Sequence, residues 1–185
     1  QLRSVAAPLV LGTTLPGQFA FDVRSSGDLS AIAWMPDLRY SDVAVTLVSG
    51  ALIPTPLPPV TSSAIVGFGG LGFKGQTVRV AYAIDAGAGQ RIRVATWVDG
   101  GAAQLADQPP RLDGGPGTLI SIDSVSLSPA GTVIAFSGAD RLGTLADGGQ
   151  NIEGFDVVRT LEGTYRQASS SVLGRMVLAP SAQLG

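Results

Sequence analysis

Hydrophobic and polar positions alternate along much of this chain, most sharply over residues 77–85 and 91–99. In the first run Val78, Val80, Tyr82 and Ile84 share one face, and in the second Ile92, Val94, Thr96 and Val98 do, as the two-residue period of a strand requires. The intervening Ala86-Gly87-Ala88-Gly89 supplies glycines for a tight reversal, so the two runs are predicted to form a hairpin. Shorter β-rich runs lie at 19–23, 29–35, 42–48, 124–127, 132–137, 155–159 and 176–178. Between them come Ser25-Ser26-Gly27-Asp28, Asp99-Gly100-Gly101, Asp113-Gly114-Gly115-Pro116 and Asp147-Gly148-Gly149, clusters whose residues favour turns. No stretch sustains an apolar stripe at helical spacing for more than about ten residues. The pattern predicts an all-β chain.

Two stretches superpose. Residues 65–106 run through 65–68, 78–84, 92–98 and 102–105, and residues 124–169 run through 124–127, 132–136, 152–158 and 164–167. Four strands recurring at a spacing of about 45 to 60 residues is how a propeller blade reads in sequence. The expected fold is a small β-propeller or propeller-like array of four-stranded antiparallel blades, with residues 1–185 as a single all-β domain. A β-sandwich shares the same short strands and turns and is the alternative. At this spacing the chain holds about four blades, and 175–178 is placed to pair with the N-terminal strand if the ring closes.

The run Ser124-Val-Ser-Leu-Ser-Pro-Ala-Gly-Thr-Val-Ile-Ala-Phe-Ser137 resembles the core of the WD40-like repeats of TolB-type β-propellers. Ser128, Pro129, Gly131, Ile134, Ala135 and Phe136 match that pattern, and Ala130 stands where the family usually has Asp. The resemblance covers about 14 residues and by extension one blade. It implies four-stranded blades that dock partners through their loops, and it transfers no catalytic residue.

Composition narrows the chemistry. With 45% hydrophobic and 14% charged residues the chain is too apolar to be disordered, and its net charge of −2 lacks the basic footprint of a nucleic-acid binder. Charged, Gly or Pro residues interrupt every apolar run before the length of a membrane span. There is no cysteine and no histidine, which excludes disulfides, thiolate catalysis, His-based triads and the commonest transition-metal ligands. No phosphate-binding loop, nucleophile elbow or dinucleotide fingerprint is present, and no cofactor is expected. The start at Gln1, without Met, is read as a processed, exported chain.

Four groups of residues remain as candidates. Asp140 and Asp147, in a glycine-rich stretch, are a possible pair of carboxylates for glycoside hydrolysis and, with Asn151 and Glu153, oxygen donors for calcium; capping of turns is the plainer role, and no metal site is assigned. Arg79, Arg91 and Arg93 come close together if the hairpin pairs, with Tyr82 beneath one guanidinium, as a site for an acidic ligand. Trp34, Trp97, Phe68, Phe73 and Phe136 either line a pocket or fill the core. Four prolines within residues 54–59 of the segment 51–61 predict a stiff polyproline II arm or connector without ladder hydrogen bonds, in which Pro54, Pro56, Leu57, Pro58 and Pro59 are the candidate partner-binding residues.

With chemistry scarce and stiff loops prominent, the expected function is a non-enzymatic structural or interaction subunit, periplasmic, extracellular or peripheral on the cell envelope. Its expected partner is another protein, such as a membrane-complex subunit. The alternative is a glycan- or peptide-binding module, or a carboxylate-dependent hydrolase.

Overall fold

A computed structural model describes residues 21–35, 42–62, 64–87, 89–108, 121–140, 153–161 and 165–172, and among them there is no helix. The strands are β1 (Phe21–Ser26), β2 (Leu29–Trp34), β3 (Asp42–Ser49), β4 (Pro54–Pro56), β5 (Val60–Thr61), β6 (Ile65–Lys74), β7 (Thr77–Asp85), β8 (Gln90–Val98), β9 (Gln104–Gln108), β10 (Ser121–Leu127), β11 (Val133–Asp140), β12 (Glu153–Thr160) and β13 (Tyr165–Val172). They form three antiparallel sheets in simple meander order: β1-β2-β3-β4 with β5 also on β3, then β6-β7-β8-β9, then β10-β11-β12-β13. The first strand of the second sheet, β6, lies against β1 on one side and β10 on the other, and the sheets stack face to face as propeller-like blades.

The second sheet is the middle layer, and its hairpin shows how. Ala86 N–H donates to Gly89 O across the four-residue loop, and Asp85 pairs with Gln90. That register sets Val78 opposite Trp97, Val80 opposite Ala95 and Tyr82 opposite Arg93. Directly opposed residues share a face, so Val78, Val80, Tyr82 and Ile84 turn with Trp97 toward the first sheet, where they pack against Ala31, Ala33, Val43, Val45 and Leu57. Ala81, Ile92 and Val94 turn the other way, onto Leu127, Ile134 and Phe136 of the third sheet. The two apolar stripes of the hairpin therefore serve two different cores.

The Pro-rich segment is neither a free arm nor a plain connector. Pro54–Pro56 pair with Val48, Leu47 and Thr46, and Val60 with Val43, so β4 and β5 make a broken outer strand of the first sheet. Proline has no N–H to give a ladder, which confines it to such an edge. At the break Leu57 donates its N–H to Val45 O and buries its side chain, while Pro58 O accepts from Trp97 Nε1 at 2.9 Å.

The turn that resembles the TolB-type motif joins the second and third sheets. Ser128 Oγ accepts from the N–H groups of Thr132 and Val133, Gly131 N–H donates to Ser128 O, and Gly131 takes φ +68°, a conformation that glycine adopts without strain. Pro129 O then accepts from Phe73 N–H, and Gly131 O from Arg79 Nη1 at 3.0 Å. Trp97, Phe73 and Phe136 are core residues, and Trp34 and Phe68 are half-buried. Residues 175–178, the expected ring-closing strand, lie outside the described residues.

Candidate functional site

One cross-sheet row collects most of the polar chemistry. Phe68 on β6, Tyr82 on β7, Arg93 on β8 and Asp107 on β9 are successive register partners, and they share the face that looks toward the first sheet. Arg91, two residues before Arg93, lies on the same face. Nearer the hairpin's far end that face is apolar, with Val80, Val78 and Trp97 buried; it turns polar on β8 and β9, where the core runs out.

Arg93 grips Asp107 with two hydrogen bonds, Nε to Oδ1 at 2.5 Å and Nη2 to Oδ2 at 3.1 Å. This fork-on-carboxylate geometry is the strong form of an ion pair. Arg91 Nη1 approaches Oδ2 at 3.6 Å, beyond a hydrogen bond, and its side chain is 46% exposed against 22% for Arg93. The Arg93 hydrogen bond holds the Asp107 carboxyl below its ordinary range, and Asp107 in turn raises Arg93. Tyr82 is wholly buried behind the pair; burial pushes its phenol up, against the opposing pull of Arg93. Its buried hydroxyl adjoins that of Ser62.

The structure thus brings Arg91, Arg93 and Tyr82 together and removes Arg79 from them. Arg79 pairs with Thr96 on the opposite face, where it holds the 128–131 turn. The missed residue is Asp107; its signal was the carboxylate of Gln104–Gln108, visible only once β9 is seen to pair with β8. Asp140 closes β11 with its backbone opposite Glu153 of β12, while Asp147 and Asn151 lie outside the described residues. Among the described residues no group of three or more acidic side chains converges as a metal site.

A second carboxylate, Asp22 on the inner strand β1, is fully engaged. Oδ1 accepts from Val23 N–H and from Arg24 Nη1 at 2.7 Å, and Oδ2 accepts from Leu71 N–H of β6 at 3.0 Å. Ser26 Oγ likewise accepts from Gly75 N–H, so both links span 49 residues and tie equivalent points of successive blades.

No family model and no curated protein matches the chain. Solved structures do. A GH32 β-fructofuranosidase from Bombyx mori is 12% identical, with 83% of this chain aligned to 34% of that one at a TM-score of 0.47. A GH43 α-L-arabinofuranosidase from Clostridium thermocellum is 12% identical, with 89% of this chain aligned to 59% of that one at 0.44. A further structure, titled only as a glycoside hydrolase, is 10% identical over 86% of this chain and 60% of its own, at 0.41. The chain therefore spans about a third to three fifths of the length of these structures. They are not WD40 or TolB-type proteins, and the TolB-type assignment of 124–137 is not carried further; the propeller-like fold rests on the three meander sheets themselves. The expectation of a non-enzymatic docking subunit is withdrawn: the arm that motivated it is an integral edge of the first sheet, and the solved structures that align are glycoside hydrolases.

Proposed function

We propose that this chain is a glycan-recognising module built on propeller-like blades, with its site at Arg91, Arg93 and Asp107. The observation that carries this reading is the row Tyr82–Arg93–Asp107 with Arg91 beside it. Sugar hydroxyls both donate and accept, and a guanidinium held against a carboxylate presents planar donors next to acceptors at fixed spacing. The ion pair sets that geometry in advance, so little side-chain freedom is lost when a ligand arrives. An exported location belongs to the same proposal. The test is calorimetric titration of the purified chain with a panel of oligosaccharides: binding should appear, and Asp107→Asn should weaken it by about tenfold or more. A panel without a single binder overturns the reading.

Carboxylate-dependent hydrolysis is a second reading, favoured by the β11–β12 register that sets Asp140 opposite Glu153. A pair of acidic residues is the minimum equipment of a glycosidase. If they act, Asp140→Asn and Glu153→Gln each abolish turnover of a bound oligosaccharide while leaving its affinity in place; turnover that survives both changes excludes the pair.

A further inference from the structure

Among the described residues the charges at the site do not balance. Two guanidiniums there share a single carboxylate, which is hydrogen-bonded to Arg93 through both of its oxygens. Arg91 makes the longer of the two ion pairs, with Nη1 3.6 Å from Asp107 Oδ2 and nearly half of its side chain in solvent. Asp85, also among the described residues, lies on the opposite face of β7, and its Oδ1 accepts from Gly87 N–H in the hairpin loop. Behind the pair, the Tyr82 and Ser62 hydroxyls are buried side by side. Among the described residues the site thus carries one more cation than carboxylate, with the weakly paired Arg91 accessible beside a fixed acceptor. A neutral sugar would leave that excess positive charge unanswered.

We infer that the ligand of this site is an acidic glycan whose carboxylate pairs with Arg91 while its hydroxyls meet Asp107, an inference that rests on the glycan-recognising reading above. Arg91 is the specificity-determining residue for the acid group, because a guanidinium takes a carboxylate in a planar, two-pronged contact that a hydroxyl does not match. Arg93, already occupied, holds Asp107 in place.

The experiment uses the whole chain and four probes: a uronic-acid oligosaccharide, the same oligosaccharide methyl-esterified, a sulfated oligomer of neutral sugars, and an oligoglutamate peptide. The free acid should bind at least about tenfold more tightly than its ester. Arg91→Gln should erase that preference without moving the melting temperature, and Arg91→Lys should restore only part of it. If acid and ester bind alike, or Arg91→Gln leaves the preference intact, the acidic assignment is overturned while glycan recognition stands. Equal binding of the sulfated oligomer or of oligoglutamate, with the same dependence on Arg91, overturns the commitment to a sugar carboxylate. If no oligosaccharide of either kind binds, the glycan reading itself has failed and this inference falls with it.

Discussion

The two faces of the second sheet meet their neighbours in opposite ways. Toward the first sheet the contact is made by large side chains: Trp97, Tyr82, Phe73 and Leu71 fill the space, and Trp97 reaches through it to Pro58 O. Toward the third sheet the core around Phe136 and Ile134 is joined, along β6, by a contact made through the absence of side chains. A Cβ at Gly69 would run into Val125 and lie 3.0 Å from Ala81 O, and one at Gly72 would overlap the backbone of Gly131. The first interface is held by what fills it, and the second also by how closely two backbones approach. Deleting atoms should hurt the first, and adding them should hurt the second.

Trp97→Ala is the largest expected loss, about 3 to 5 kcal/mol of unfolding free energy, because a wholly buried indole leaves a cavity and an orphaned carbonyl. Urea denaturation measures it, and a cost below about 1 kcal/mol would break the comparison by showing that the first interface collapses freely. Gly72→Ala should cost about 1 to 3 kcal/mol although it adds a single methyl, since the obstruction is backbone and not a movable side chain. A neutral or stabilising Gly72→Ala would mean that the second and third sheets are free to separate. Ser128→Ala removes the acceptor for Thr132 and Val133 N–H and should cost about 1 kcal/mol, confined to the same interface.

Asp107→Asn sharpens the comparison from outside both interfaces. The ion pair is partly solvated, so its loss should cost less than about 1 kcal/mol at neutral pH. The folded carboxyl titrates below its unfolded value, so its contribution is fully present above about pH 4 and fades as pH falls through the lower, folded value. Wild type and variant should therefore converge in acid, as thermal melts from pH 7 down to about pH 2 will show.

The alternation over 77–85 and 91–99 and the repeated four-strand units were legible because period two and glycine turns are local signals. The observed β7 and β8 start and end within a residue of those runs. The site was half legible. Arg91 and Arg93 share a strand face by spacing alone, whereas the side to which Arg79 belongs depends on the pairing register that the 86–89 loop imposes. Asp107 had no signature of its own, because a lone carboxylate in a short exposed strand acquires meaning only from the guanidinium that the neighbouring strand sets opposite it.

The Pro-rich segment marks the same boundary. Its prolines dictated an extended chain without its own ladder donors, and they excluded a central strand. That this chain would lie along β3 with Leu57 in the core and Pro58 O on Trp97 was decided by the first and second sheets closing over it. Sequence by itself determined the elements and their turns, since these follow from side-chain period and backbone freedom within a few residues. Which apolar face met which sheet, and which charges met at all, was decided by tertiary structure, because a strand buried on both sides carries two apolar faces and no local mark of their partners.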